Sequence, residues 1–163
     1  MRGLFTVILT LLPSVAWSLS CVVPNAGREF NTATQGQRQI VVVSGVLLPP
    51  SPTPSRIGKQ DFRAVYRIVG TRMDDDGRER RFAEDIVFKS SCVIEWCGPV
   101  PDAPVEGVFL LEDGDDRRLT LSTGPCPSGL YQYPGHKIDA FRSCVSQGQC
   151  GDSELRTLDY SNR

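Results

Sequence analysis

Histidine is nearly absent from this chain, because His136 is the only one among the 163 residues. It follows a Pro-Gly dipeptide, and no nucleophile motif such as Gly-x-Ser-x-Gly accompanies it. A serine or cysteine nucleophile needs a base beside it, and no spacing marks out a carboxylate pair for glycoside hydrolysis among the acidic residues. The sequence therefore predicts no catalytic residue and no cofactor, and we expect a protein that is not an enzyme.

Long hydrophobic runs and basic stripes are lacking as well. The apolar run at residues 4–12 is too short to cross a bilayer, and no second run follows it. Of the 18 basic residues, 17 remain when Arg2 is removed, against 19 acidic ones. No basic stripe is interleaved with aromatic residues, which disfavours a nucleic-acid partner. We expect neither a membrane span nor nucleic-acid binding.

Residues 1–20 have the features of a secretory signal peptide. A positive residue precedes the apolar run, Pro13 breaks the run, and small residues follow. Two cleavage positions satisfy the small-residue rule, one placing Leu19 first in the mature chain and the other Cys21. A bacterial lipoprotein would also begin at Cys21, although its signal would have leucine where this chain has Ser18. We expect a secreted or periplasmic protein.

The cysteines all lie beyond this segment, and their number is even. They are Cys21, Cys92, Cys97, Cys126, Cys144 and Cys150. In an oxidising compartment this indicates three disulfides, among 15 possible connectivities. Zinc knuckles would need cysteines two to four residues apart or nearby histidines, and the closest pairs lie at the edge of that range or beyond it. We therefore expect disulfides and no metal.

The remaining chain has the length of one domain. Residues 21–150 are expected to form it, and the polar residues 151–163 to form a frayed tail. Residues 21–38 are polar and small, which predicts an extended segment with Phe30 as its only large anchor.

Alternating or β-branched segments predict four or five short strands, at residues 39–48, 61–73, 80–89, 108–111 and 119–122. Gly45 interrupts the first strand. This indicates either a bulge or bend, as at the corner of a small barrel, or simple tolerance of glycine by a buried strand.

The polar clusters between these strands are predicted to be turns and loops. The acidic residues 74–76 and 113–116 fit hairpin tips, whereas a calcium loop would need carboxylates at alternate positions and a distant bidentate glutamate. The proline-rich residues 49–60 are predicted to be a solvated connector, the alternative being a ligand for proline-reading domains. Trp96 is expected to pack in the core or against a loop rather than to serve as a ligand platform.

The last predicted element is a helix over residues 137–146. Ile138, Phe141 and Val145 recur at helical spacing. Gly148 would end this helix and allow Cys150 to fold back.

Together these elements predict a mainly β protein, with a small closed five-stranded barrel (an OB-fold), a C-terminal helix and disulfide staples. The chain resembles the TIMP-like and netrin-module superfamily of secreted OB-folds, TIMP meaning tissue inhibitor of metalloproteinases. The resemblance covers roughly residues 21–144. It rests on Cys21, a glycine-bearing strand at 43–46, Cys97-Gly98, the apolar strand 107–111 with its acidic turn, residues 119–121 closing on Cys126, and a helix bearing Cys144.

The resemblance implies a disulfide pattern and one possible activity. It implies a Cys21–Cys97 bond, and with Cys144 and Cys150 pairing locally around the helix end, Cys92 is left to join Cys126. Inhibitory members of the family begin Cys-x-Cys and place the amino and carbonyl groups of the first cysteine on a protease zinc. This chain reads Cys21-Val22-Val23, so only the position of Cys21 carries over.

Two classes of function follow from these observations. The first is an exported binding module without catalytic activity, whose barrel face or loop from Pro49 to Pro54 contacts a protein or glycan of the envelope or the extracellular space. The alternative is a metalloprotease inhibitor acting through an N-terminal Cys21. A third class, hydrolase, would need a carboxylate pair in a cleft.

Overall fold

The computed structural model describes residues 21, 25–114, 118–126, 128–133 and 135–159. The predicted signal peptide lies outside these residues, as does part of the second acidic cluster. The elements of the described part are α1 (Ala26–Gln35), β1 (Ile40–Leu48), β2 (Phe62–Met73), β3 (Glu79–Ser90), β4 (Cys92–Val93), β5 (Trp96–Cys97), β6 (Val105–Asp113), β7 (Leu119–Thr123), β8 (Leu130–Tyr131), α2 (Gly135–Gln147) and α3 (Asp152–Thr157).

Five of the strands close into a barrel. Their hydrogen-bonded order is β1-β2-β3-β7-β6, and β6 pairs again with β1. These pairings are antiparallel except that of β3 with β7, which is parallel. This arrangement is that of an OB-fold, in which the third and fifth barrel strands are parallel neighbours. The predicted closed five-stranded barrel is confirmed.

The barrel interior is filled by one face of each strand. In β2, Phe62, Tyr66 and Ile68 are buried while Arg63 and Arg67 are exposed, as the alternation of side chains along a strand requires. The interior cluster contains Val43, Leu47, Phe62, Tyr66, Ile68, Phe82, Ile86, Phe88, Phe109, Leu111 and Leu121. Each large side chain contributes about 1.5–3 kcal/mol on burial, so this cluster is a main source of stability.

Glycines lie side by side where β1 passes between its two neighbours. Gly45 is directly opposite Gly70 of β2 and Gly107 of β6. A Cβ added to Gly45 would lie 2.3 Å from the carbonyl oxygen of Val69, and one added to Gly107 would lie 2.5 Å from that of Tyr131. The pairing register runs through Gly45 without an extra residue. Close backbone approach, rather than a bulge or mere tolerance, therefore explains this glycine.

The helices form a second core against the outer side of the barrel. Side chains from β1 and β6, including Val42, Val108 and Leu110, join α1 and α2 in one buried cluster. Phe30 of α1 packs edge-on against Phe141 of α2, with ring centroids 5.7 Å apart. The predicted C-terminal helix is confirmed as α2. None of the helices in the described part is long and apolar enough to cross a membrane.

The extended conformation predicted for residues 21–38 is wrong where α1 forms. Asn25 begins this helix, because its side-chain oxygen accepts a hydrogen bond from the backbone N–H of Arg28 at 3.1 Å. Ala26, Phe30 and Ala33 then lie on one face and are buried. Two of these three side chains are alanines, which explains why the helical period was inconspicuous in the sequence.

The frayed tail predicted from residue 151 is also wrong as far as the described chain extends. Residues 152–157 form α3, and Leu158 is completely buried. The hydroxyl of Tyr133 donates to the carbonyl oxygen of Leu158 at 3.0 Å, and the ammonium of Lys137 donates to that of Asp159 at 2.7 Å. One leucine and two backbone carbonyls thus fasten a polar segment to the domain. Residues 160–163 lie outside the described part.

All six cysteines are paired, as predicted, but the connectivity differs. The bonds are Cys21–Cys126, Cys92–Cys97 and Cys144–Cys150. The local Cys144–Cys150 bond is confirmed, whereas the predicted Cys21–Cys97 and Cys92–Cys126 bonds are wrong. The reason is a hairpin of β4 and β5 that places Cys92 directly opposite Cys97, with Cα atoms 4.0 Å apart. This leaves Cys126 for Cys21.

Candidate functional site

Three connecting segments lie at one end of the barrel. Here β1, β3 and β7 end and β2 and β6 begin, as their pairings require. The segments are the proline-rich connector after β1, the hairpin of β4 and β5, and the chain after β7 that carries Cys126. The backbone N–H of Ser91 donates to the carbonyl oxygen of Thr123 at 3.0 Å, which joins the base of the hairpin to the end of β7, and the N–H of Gly98 donates to the carbonyl oxygen of Ser91 at 2.9 Å.

The hairpin of β4 and β5 is a small ring that exposes apolar side chains. A disulfide closes it between Cys92 and Cys97. At its tip the exposed fractions are 48% for Val93, 86% for Ile94 and 63% for Trp96. Single exposed apolar residues are ordinary on protein surfaces, but a contiguous group of them marks an interaction site. We call Val93, Ile94 and Trp96 the apolar tip.

Trp96 therefore does not pack in the core or under a loop, and that expectation is wrong. The tetrapeptide between the two cysteines is too short to fold back on the domain once the hairpin pairs Val93 with Trp96. The sequence signal that could have revealed this is the five-residue spacing of Cys92 and Cys97, which fits a disulfide-closed hairpin.

Ile94 has an unusual backbone conformation for its residue type. Its φ of 56° lies in the left-handed region, which β-branched residues rarely adopt and glycine adopts freely. The conformation costs about 1–2 kcal/mol for a residue with a Cβ. Such outliers persist where the surroundings enforce them and cluster at functional sites. At this turn the chain has an exposed isoleucine where folding alone would favour glycine.

Arg56, from the proline-rich connector, fastens the base of the hairpin. Its guanidinium donates to Cys92 Sγ at 2.7 Å, to Ser90 Oγ at 2.5 Å and to the carbonyl oxygen of Gly98 at 3.0 Å. Just before β2, Asp61 Oδ1 accepts a hydrogen bond from the backbone N–H of Cys92 at 2.8 Å. The apolar tip is consequently presented on a base that is fixed to two neighbouring segments.

The connector also contributes to the surface at this end. Its Ile57 is 82% exposed, and the ammonium of Lys59 lies 2.6 Å from a carboxylate oxygen of Glu95 at the hairpin turn. Because both charged side chains are largely exposed, this ion pair adds little stability. It does place the connector beside the hairpin, which agrees with the prediction that residues 49–60 form a loop.

The loop between β5 and β6 is held from inside the barrel. The hydroxyl of Tyr66 donates to the carbonyl oxygen of Pro101 at 2.7 Å. Burial raises the pKa of Tyr66, and the charge of Asp102 raises it further. A tyrosine that stays protonated and bonded to the backbone acts here as a structural anchor.

The other residues considered from the sequence lie elsewhere. His136 is exposed near the start of α2. Asp74 pairs with Arg72 and Arg80 at 3.1 and 2.6 Å, around the turn between β2 and β3. In the residues that the structure describes, no group of three or more His, Cys, Asp or Glu side chains could hold a metal ion.

Comparisons of the chain with family models, with curated proteins and with solved structures find no significant match. The resemblance to the TIMP-like and netrin-module superfamily accordingly stays an expectation from the sequence.

Proposed function

We propose that this protein is an exported, disulfide-stabilised binding module without catalytic activity, which contacts a protein or glycan of the envelope or extracellular space through its apolar tip. The observation that carries the proposal is the exposure of Ile94 and Trp96 on a disulfide-closed hairpin, with Ile94 at a positive φ. Burial accounts for neither side chain, and local backbone preference does not account for Ile94. Contact with a partner does.

The rigidity of the hairpin supports a role in binding. Association is opposed by the entropy of ordering the contacting side chains and loops. The disulfide and the contacts of Arg56 order the hairpin before any partner arrives. Tryptophan combines a large apolar area with few rotatable bonds, and it is enriched among the residues that dominate binding energies.

The position of the hairpin also agrees with an OB-fold binding module. These barrels bind ligands on the face of their second and third strands and on adjoining loops. The apolar tip follows β3 directly, so it adjoins the end of that strand.

Export is supported by the disulfides. Three bonds of this kind persist in oxidising compartments and are rare in the cytosol. The predicted signal peptide, in residues 1–20, would deliver the chain to a secreted or periplasmic location.

The experiment is capture of partners from envelope and extracellular fractions with the immobilised, oxidised protein. We expect Trp96→Ala to weaken binding of the main captured partner by about 30-fold, corresponding to a dominant contact of about 2 kcal/mol. Val69→Ala is the matched control, since it truncates an exposed apolar side chain away from the hairpin. Unchanged capture by Trp96→Ala and by Ile94→Gly together would overturn the proposal.

The inhibitor alternative is favoured by one observation. Cys21 is exposed and bonded to Cys126, just after β7, so it lies at the same barrel end as the apolar tip. If processing exposes the amino group of Cys21, that group would lie at the same end of the barrel as the apolar tip. Sequencing of the mature N-terminus and inhibition assays against zinc proteases test this, because a chain that begins at Leu19, or is lipidated at Cys21, offers no free cysteine amino group.

A further inference from the structure

The two sulfur atoms of the hairpin disulfide differ in their surroundings. The guanidinium of Arg56 donates to Cys92 Sγ at 2.7 Å, and within the described residues it makes no hydrogen bond to Cys97 Sγ. Its other acceptors are Ser90 Oγ and the carbonyl oxygens of Ser90 and Gly98. Because these acceptors are neutral, the charge of Arg56 remains available to stabilise negative charge on the sulfur of Cys92.

Reagents in solution can reach this disulfide. Cys92 and Cys97 are both partly exposed, whereas Cys144 and Cys150, with 0% and 5% exposure, form a buried bond. The hairpin bond also joins residues that are only 5 positions apart, so opening it restores little conformational freedom to the chain. Exposed disulfides are the ones that exchange readily with thiols, since access limits the reaction.

The sulfur of Cys92 has partners for the state in which the bond is open. The carbonyl oxygen of Gln60 lies 3.3 Å from Cys92 Sγ and can accept the proton of a thiol. The guanidinium of Arg56 stabilises a thiolate at the same atom. The carboxylate of Asp61 is directed at a backbone donor, because its Oδ1 accepts from the N–H of Cys92 at 2.8 Å. Opening the bond therefore leaves Cys92 with a partner in either protonation state.

We propose that the Cys92–Cys97 bond is a site of thiol–disulfide exchange, at which the thiolate of an external thiol attacks Cys97 Sγ. The electron pair of the attacking sulfur forms the new bond to Cys97, and the pair of the old bond leaves with Cys92 as a thiolate beside Arg56. A more stable thiolate is a better leaving group, so the position of Arg56 selects Cys97 as the sulfur that is attacked.

A second external thiolate completes the reduction. It attacks the external sulfur of the mixed disulfide, Cys97 leaves as a thiolate, and the two external thiols are joined as a disulfide. The exchange needs only the two sulfurs and Arg56, so it does not depend on the proposed function. One consequence does rest on that function: reduction opens the ring that orders the apolar tip, and it should weaken capture of a partner.

The test treats the oxidised protein with glutathione, quenches the reaction rapidly with N-ethylmaleimide and maps the modified cysteines by mass spectrometry. We expect glutathione on Cys97 with N-ethylmaleimide on Cys92, in about threefold to tenfold excess over the reverse arrangement, which is part of the effect of a charge-assisted hydrogen bond. Cys144–Cys150 should stay intact, because it is buried. Equal amounts of the two arrangements, an excess of glutathione on Cys92, or no modification of either cysteine would overturn the proposal.

Arg56→Gln keeps a hydrogen-bond donor and removes the charge, so the excess should fall to about one, while Arg56→Lys should retain a preference for Cys97. The ratio is measured within each protein, and it is therefore independent of how much each variant is destabilised. Lys59→Gln is the matched control, since it removes a positive charge from the same connector at an exposed side chain that pairs with Glu95 at 2.6 Å. A preference that persists in Arg56→Gln, or that is lost equally in Lys59→Gln, would show that Arg56 does not direct the exchange.

Discussion

Gly45 and Gly70 face each other across β1 and β2 so closely that a Cβ added to Gly45 would lie 2.7 Å from the Cα of Gly70, and one added to Gly70 would lie 2.6 Å from the Cα of Gly45. Contacts below 3.0 Å are essentially never made by a real Cβ. Both partners are backbone, so neither can yield by changing a rotamer. The pairing of β1 with β2 thus depends on the absence of side chains at this point.

We expect Gly70→Ala to destabilise the protein by about 1–3 kcal/mol, the usual effect of overpacking. Gly135→Ala is the control, because a Cβ at Gly135, the first residue of α2, would meet nothing within 4 Å. Its effect should lie within about 0.5 kcal/mol. Urea unfolding of the oxidised proteins measures both, and equal stability of the two variants would contradict the close approach.

Replacing Ile94 by glycine should raise the stability of the fold and weaken the binding of a partner. Glycine adopts the φ of 56° without the steric conflict of a Cβ, so Ile94→Gly should stabilise the protein by about 1 kcal/mol. The same variant should weaken partner capture, since it removes the most exposed side chain of the apolar tip. Thermal unfolding and the capture experiment give the two values.

Val93→Gly is the matched control for this pair of measurements. Val93 lies in the same hairpin but has no positive φ, so glycine there relieves no strain and should stabilise nothing. A loss of stability in Ile94→Gly as large as that in Val93→Gly would mean that Ile94 supports the fold rather than a partner.

The barrel could be predicted from the sequence because each strand carries its own signal. The alternation of apolar residues with Arg63 and Arg67 marks β2, and the apolar run before an acidic turn marks β6. Periodicity of this kind is local, so it can be recognised without knowing which strand is the partner. Helix α1 was not predicted because its buried face consists mostly of alanine and its start depends on the side chain of Asn25.

The apolar tip could not be predicted from the sequence, for a physical reason. Apolar residues in a sequence are assigned to the core by default, and only the Cys92–Cys97 bond turns Trp96 outward. The predicted Cys21–Cys97 bond was wrong because the pairing of Cys97 is set by a hairpin too short to be recognised as strands.

The disulfides should differ in their contribution to stability. Cys21–Cys126 closes a separation of 105 residues and contributes about 4.7 kcal/mol in the chain-entropy treatment, whereas Cys92–Cys97 closes only 5 and contributes about 2 kcal/mol. We expect Cys21→Ser with Cys126→Ser to lower the unfolding free energy more than Cys92→Ser with Cys97→Ser. Peptide mapping without reduction checks the connectivity, and a peptide linking Cys21 to Cys97 would contradict it.

The pair of Tyr131 and Glu29 should make the protein sensitive to alkali. The hydroxyl of Tyr131 donates to Glu29 Oε2, which also accepts from the backbone N–H of Gly129 at 3.1 Å. Burial raises the pKa of Tyr131 far above its ordinary value of 10.0, and the charge and hydrogen bond of Glu29 raise it further. The folded state therefore keeps this proton at a pH at which the unfolded chain has lost it.

The sign of the pH dependence follows from that difference. The contribution of Tyr131 is complete below about pH 10 and is lost progressively as the pH rises above it, because only the unfolded state releases the proton. Tyr131→Phe should lower the unfolding free energy at pH 7 by about 1.5–3 kcal/mol, as for a hydrogen bond to a charged group. Above pH 10 its stability should fall less steeply than that of the unaltered protein. Because the pKa of Tyr66 is raised as well, the stability of Tyr131→Phe should still fall with pH, but less steeply. Tyr66→Phe serves as the comparison. Urea unfolding between pH 7 and 11 measures these slopes, and identical slopes for Tyr131→Phe and the unaltered protein would contradict the role assigned to the Tyr131–Glu29 pair.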